Sequence, residues 1–389
     1  MIEAVIVDAV RTPVGRGKPD GALHGVNSVD LLAHSLRALV NRTGIDPAVI
    51  DDVIGGVVTQ VGEQAFNITR RALLAAGYPE SVPGVSVDRQ CGSSQQSLHF
   101  AAQGVMSGAY DVVVAAGVES MGRVPMGANL AGSDDPFGEG FGARYPEGWV
   151  GQGISAELIA AKWDLPRTRL DEFALTSHAR AAEATERGAF DTQLAPLAGL
   201  TRDEGIREGG DLGTLARLRP AYYDEAAERR FPQIDWKVTA ANASPLSDGS
   251  AAVLVMSRSR AEELGLTPLA RFHSFAVAAD DPLYMLTAII PATEKLLARA
   301  GLALADIDLF EVNEAFSPVV LAWADELGAD LDRVNVNGGA IAIGHPLGAS
   351  GARLATTLTH GLHEHGGRFG LQVMCEAGGL ANAMVVERL

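Results

Sequence analysis

Cysteine is scarce: the chain has two, Cys91 and Cys375, in 389 residues. That excludes a disulfide framework and suits a reducing compartment. Aromatic residues make up only 6% of the chain. No apolar run approaches the ~20 residues of a membrane span. Basic residues are outnumbered, 31 against 48 acidic ones, for a formal charge of −17. Such a surface repels nucleic acid, so nucleic acid is not expected as a main partner. The first residues already read as a strand with Glu3 and Asp8 in it, so no signal peptide is expected. The terminal Glu387-Arg388-Leu389 is not a peroxisomal address. A cytoplasmic location is the expectation.

What the chain does have is apolar content of 47% and 44 glycines, enough for two or three tightly turned α/β domains with sizeable cores. Residues 2–10, 53–58 and 111–117 read as buried strands, and 28–41, 67–76 and 95–107 as helices. Strands alternating with helices predict a layered α/β domain. Between 119 and 247 the composition shifts: 121–149 is rich in glycine, proline and acidic residues, 171–187 is helical, and 201–237 is mixed. This stretch reads as an insertion. A strand resumes at 251–256, and from about 268 the alternation repeats, through strands at 271–278, 307–312 and 369–374 and helices at 291–300, 318–327 and 348–363.

The stretch from Val87 to Ala101 organises the rest. Ser86-Val87 ends a strand-like run, and Cys91-Gly92-Ser93-Ser94 opens a helix with Leu98, Ala101, Ala102 and Val105 at helical spacing. A thiol at a helix N-terminus meets unpaired N–H groups and the positive end of the dipole, which favour a thiolate. A lone Cys is equally a small buried apolar residue. Cys375 shifts the balance: it ends another strand-like run and leads into Glu376-Ala377-Gly378-Gly379. Upstream, the glycine-rich Asn335–Gly351 carries His345 between Gly344 and Pro346, and Val312-Asn313-Glu314-Ala315-Phe316 ends a third strand. Two thiols, an imidazole and an amide at strand ends and tight turns suit acyl transfer.

These motifs, in this order and over nearly the whole chain, resemble the thiolase family, the acetyl-CoA acyltransferases. The resemblance implies two similar halves in an α/β/α/β/α sandwich with a loop domain inserted in the first. The expected boundaries are 1–118 with 248–267, then 119–247, then 268–389. It also implies an enzyme that cleaves a 3-oxoacyl-CoA with CoA, as a homodimer or homotetramer. Coenzyme A is its substrate, with no permanently bound cofactor and no metal. Cys91 would carry the acyl group, His345 would take the proton of the attacking thiol, and Cys375 would serve as acid and base. Asn313 would hold a water that, with His345, forms one oxyanion site; the backbone N–H groups of Cys91 and Ala377 would form the other. Ser244, in Asn242-Ala243-Ser244, would touch the pantetheine, and Arg219 the phosphate end of CoA.

Departures from the family pattern bear on the substrate. Gly151-Gln152 stands where many short-chain members have His-Met, Met285-Leu286-Thr287-Ala288-Ile289 replaces a Met-Gly-x-Gly-Pro segment, and Ala377 occupies a common Gly position. Losing a ring and a thioether leaves more room, which predicts an acyl group bulkier than acetoacetyl. Acetoacetyl-CoA synthesis is the alternative within the family. A decarboxylating ketosynthase would use two histidines, or His and Asn, which Cys375 argues against. A non-catalytic acyl-CoA or lipid-binding protein has no use for the full set of Cys91, His345 and Cys375. A Cys91–Cys375 disulfide is a further alternative, since both thiols must reach one substrate carbon.

Overall fold

The structure, a computed structural model, describes residues 2–389. Its first strand, β1 (Ala4–Arg11), is buried along its whole length. Ala4, Ile6 and Ala9 face one core while Val5, Val7 and Val10 face another. A bulge between Ile6 and Asp8 shifts the alternation, so Ile6 and Ala9 share a face. A strand covered on both faces must be apolar on both, which is why it reads as one continuous run.

Strands β2 (Gly15–Arg16), β3 (Asp52–Gly56), β4 (Gly84–Val87), β5 (Val112–Ser120) and β6 (Ser247–Ser257) complete the first half, and β7 (Ala270–Ala279), β8 (Leu309–Val312), β9 (Phe369–Glu376) and β10 (Leu380–Arg388) the second. The order is β4-β3-β5-β6-β1-β7-β10-β9-β8, with β2 on β6. The halves meet at a short seam, where Val5 pairs with Arg271 and Ile6 with Ala270. Each half has the same pattern: β3 and β5 pair in parallel, as do β8 and β9, and the neighbouring pairs β5–β6 and β9–β10 are antiparallel.

Helices make three further layers. Helices α1 (Ser28–Thr43) and α2 (Ile68–Ala75) share an outer core with the first half-sheet. Helices α10 (Ile289–Ala300) and α11 (Ser317–Leu327) do the same for the second. Between the half-sheets lie α3 (Ser93–Ser107) and α13 (Ser350–His365), whose Leu98, Ala101, Val105, Ala355, Leu358 and Leu362 share one core with strands of both halves. The layered duplicated sandwich expected from the sequence is what the chain forms.

The stretch between β5 and β6 holds α4 (Glu139–Arg144), α5 (Gln152–Lys162), α6 (Arg167–Glu186), α7 (Leu212–Leu215) and α8 (Glu225–Arg230). The remaining helices are α9 (Arg258–Glu263) and α12 (Ala340–Ile343). Sequence reading missed α5, because Gly153–Ala160 is buried all round and shows no amphipathic stripe. It also missed β10, which forms a hairpin with β9 and pairs at long range with β7. No helix among the described residues is long and apolar enough to cross a membrane.

Candidate active site

Cys91 sits in the turn between β4 and α3, set up by Gln90 in a left-handed conformation (φ +49°). No side chain caps α3, since Gly92 occupies the cap position. That glycine is required, because a Cβ there would fall 1.8 Å from Glu376 Oε1. The thiol is buried against Val58, Met121, Leu347, Leu354 and Met374. Burial first, then Cys375 and Glu376, push its pKa up, while a hydrogen bond from the Gln152 side chain pulls the other way. The expected thiolate-favouring helix end is therefore outweighed: desolvation of a fully buried sulfur costs more than a helix terminus returns.

Cys375 ends β9 and is buried and free, as is Cys91. The Asn313 amide donates to its sulfur at 3.6 Å. Burial pushes Cys375 up to about 11, less far than Cys91, because Asn313 favours the charged form. Glu376, the neighbour of Cys375, reaches Gly92, the neighbour of Cys91, so the stretches that carry the two thiols meet. Asn313 follows β8 and leaves its Oδ1 buried with no partner. After Ala377 the chain turns through Gly378 (φ +84°) and Gly379 (φ +79°), a path that favours glycine.

His345 lies between α12 and α13. Its backbone N–H donates to Ser247 Oγ at 3.0 Å. Its Nδ1 lies 2.6 Å from Ser350 Oγ. The single Ser350 hydroxyl proton goes to the Pro346 carbonyl at 2.8 Å, so toward His345 this oxygen accepts. That network places the imidazole proton on Nδ1 and leaves a lone pair on Nε2, which is buried and unpartnered. Burial and the nearby Arg353 push His345 down to about 3, so it is a neutral base across the physiological range.

The turns carrying Cys91 and His345 are in direct contact. The Ala352 N–H in the first turn of α13 donates to Ser94 Oγ of α3 at 2.9 Å. Gly351 packs so closely that a Cβ there would meet Gln95 N at 2.2 Å. Leu347, two residues past His345, touches the same cluster as Cys91. Two buried carboxylates brace these loops. Glu119 accepts from the N–H groups of Val58, Thr59 and Gly348 at 2.9–3.1 Å and from the Gln64 amide at 2.8 Å. Glu314 accepts from Ser177, Asn335 and the Ile341 N–H at 2.7–3.1 Å. Sequence reasoning missed Ser350, Glu119 and Glu376, and named Gln152 only as a departure from the family pattern. The only local signals were Glu119 ending an apolar strand and Ser350 lying inside the His345 motif.

A cavity of about 1000 Å³ opens beside this site, lined by Ser244, Ala243, Tyr222, His178, Arg16, Lys18 and Arg207 among others. Ser244 is tied to the Asn313 loop, its N–H donating to the Ala315 carbonyl at 2.9 Å. Arg219 is exposed and outside the lining, two residues before Ala221, which belongs to it. No group of three His, Cys, Asp or Glu among the described residues could hold a metal ion.

Residues 4–259 match the thiolase N-terminal domain and residues 266–388 the thiolase C-terminal domain. The chain is 48% identical over 405 residues to a protein of Mycobacterium tuberculosis named steroid 3-ketoacyl-CoA thiolase FadA6, covering 100% of this chain and 95% of that one. It is 45% identical over 402 residues to a 3-ketoacyl-CoA thiolase of Yersinia pestis, covering both chains fully. The crystal structure of the Bacillus anthracis acetyl-CoA acetyltransferase superposes with a TM-score of 0.89 at 37% identity, over 100% of this chain and 99% of that one. With both domains matched in order and full-length relatives near half identity, the chain belongs to the thiolase family and is an acyltransferase.

Proposed function

We propose that this protein is a degradative 3-oxoacyl-CoA thiolase. It uses CoA to cut a 3-oxoacyl-CoA into acetyl-CoA and an acyl-CoA two carbons shorter. In the first half-reaction His345 Nε2 takes the Cys91 proton and the sulfur adds to the C3 carbonyl. The C2–C3 bond then breaks, leaving an acyl thioester on Cys91, and the acetyl-CoA carbanion takes the Cys375 proton. In the second half-reaction the CoA thiol gives its proton to Cys375, its sulfur adds to the acyl group, and departing Cys91 recovers its proton from His345. Thiols and imidazole end as they began. The backbone N–H groups of Cys91 and Ala377 serve the C3 oxyanion. The protonated His345 Nε2, with a water held by Asn313, serves the oxygen of the acetyl-CoA enolate.

The observation that carries this reading is the pair of coupled buried thiols, one served by Asn313, beside the turn of a neutral histidine with a free Nε2. With Cys91 pushed up and His345 down, the empty site holds no ion pair. The thiolate is made only when a bound carbonyl can trap it. Mass spectrometry after incubation with acyl-CoA tests this. An acyl adduct on Cys91, absent from Cys91→Ala, is expected; a chain that binds acyl-CoA without an adduct is a binder instead.

The cavity supports CoA there, with Ser244 against the pantetheine and Arg219 at the rim toward the phosphates. Lys18 and Arg207 supply positive charge locally, as a polyanion needs on so acidic a chain. We assign 119–247 as the loop domain that supplies most of this cavity, in a cytoplasmic homodimer or homotetramer.

The acyl group is assigned as bulkier than acetoacetyl. Gly151-Gln152 in place of a His-Met pair and the name of the relative at 48% identity, a steroid thiolase, support this. Acetoacetyl-CoA synthesis is the second reading, favoured by the name of the structural neighbour. A substrate panel separates them: a clear preference for the four-carbon substrate establishes the second.

A further inference from the structure

Glu376 is a carboxyl that the mechanism above does not use. It follows Cys375 at the end of β9, and its side chain is fully buried. Its Oε1 lies against Gly92, where a Cβ would fall 1.8 Å away. Each thiol is thus one residue, about 3.8 Å of backbone, from an end of that contact. Beside it stands Asn382 of β10. The Asn382 amide fits with its nitrogen toward Glu376 Oε1 at 3.1 Å and its oxygen toward the Gln96 N–H of α3 at 3.3 Å, because the reverse orientation sets acceptors against acceptors. Glu376 Oε2 is buried with no partner.

A carboxylate in this place is short of donors: one amide serves one oxygen, and nothing serves the other. A buried carboxyl so placed keeps its proton. The groups that face it are Asp88, Arg89 and the Cys91 thiol from the turn between β4 and α3, the Cys375 thiol from β9, and the neutral Asn382 from β10. Burial pushes Glu376 well above the usual carboxylate range, with Arg89 pulling against it and Asp88 adding to it. The proton matters to both thiols. A negative charge between their turns opposes a second one on either sulfur. We propose that Glu376 is a positioning residue for the two thiols: it holds a neutral carboxyl between their turns during turnover, and on losing its proton it suppresses the Cys91 thiolate and closes the alkaline side of the working range. The use made of that thiolate rests on the thiolase reading above; the placement of the carboxyl does not.

Alkylation of Cys91 by iodoacetamide, read by mass spectrometry of the peptide that carries it, tests this in the full-length enzyme. Glu376→Gln keeps the shape of the side chain and removes the charge. The ratio of its alkylation rate to that of the natural enzyme should rise at least about tenfold between about pH 7 and about pH 10. The alkaline limb of kcat/KM for thiolysis should move to higher pH in the same variant. If Glu376→Gln does not fold, Glu376→Leu, also uncharged, should show the same rise. A merely structural role changes the rate equally at both pH values, so a flat ratio overturns the assignment. Acylation by acyl-CoA is measured alongside. A rising ratio with no acyl adduct on Cys91 sinks the thiolase reading and leaves the role of Glu376 standing; an adduct with a flat ratio does the reverse.

Discussion

The two halves of the molecule offer the same three turns to the site and load them differently. In the first half these are the turns after β3, before α3 and after β5; in the second, after β8, before α13 and after β9. In the proposed mechanism the second half puts chemistry at all three: Asn313, His345 and, in the last residues of β9, Cys375. The first puts it in one, Cys91. Its turn after β3 instead gives backbone N–H groups of Val58 and Thr59 to Glu119. Its turn after β5 opens into the long insertion that lines the cavity, whereas the equivalent turn after β9 is a tight reversal through Gly378 and Gly379.

On the proposed mechanism, one scaffold supplies both a nucleophile and a base. Both occupy the turn that opens a central helix, and those helices pack with their N-terminal turns touching, Ser94 Oγ accepting the Ala352 N–H. A duplicated fold therefore brings the two equivalent turns face to face, and unequal residues there make an acid–base pair. The environments differ in sign as well. Burial raises the thiol and lowers the imidazole, so each is held neutral by the same physical cause.

If this unequal loading is correct, substitutions should fall in a fixed order. Cys91→Ala should abolish the adduct and lower kcat by at least about 10⁴-fold, as loss of a nucleophile does. Cys375→Ser and His345→Asn should each cost about 10²–10⁴-fold in kcat, with Cys91 still slowly acylated in the first. A Cys375→Ser enzyme as active as the natural one would break the second half's claim to the acid–base work. Ser350→Ala should cost about tenfold in kcat and lower the melting temperature modestly, because it frees the His345 tautomer and leaves the buried Nδ1–H without an acceptor. A drop in stability with kcat unchanged would make Ser350 merely structural.

Gly351→Ala tests the contact between the central helices. With Gln95 N only 2.2 Å from the new Cβ, the backbones must part. A loss of about 1–3 kcal/mol in urea unfolding is expected. The last effect concerns pH. Glu311, buried in β8, is pushed up to about 8 from its ordinary 4.5 by desolvation, with Arg353 opposing. The folded chain keeps that proton after the unfolded chain has released it. Stability from this group is thus full below about 4.5 and is lost as pH rises through about 8. Glu311→Gln should flatten the fall in melting temperature between pH 5 and pH 8; an unchanged slope would place the dependence elsewhere.

Much of this was legible in the chain alone. Apolar runs gave β1, β3, β5 and β9, because strands buried on both faces cannot afford polar residues. Periodicity gave α1, α3, α10 and α13, whose caps and stripes are local. Cys91, His345, Cys375 and Asn313 stood out because each sits in a short motif of glycines and small residues at a strand end. Helix α5 did not, since a helix buried all round loses its stripe.

What the sequence by itself determined is the set of reactive groups and the local turns that hold them, since turn and strand preferences act over a few residues. Only the tertiary structure decided their protonation and their partners. Desolvation and hydrogen bonding depend on groups hundreds of residues away: Glu376 beneath Gly92, and Gly348 on Glu119. An isolated helix end would favour a thiolate at Cys91; packing two half-sheets around it removes the water and reverses that preference.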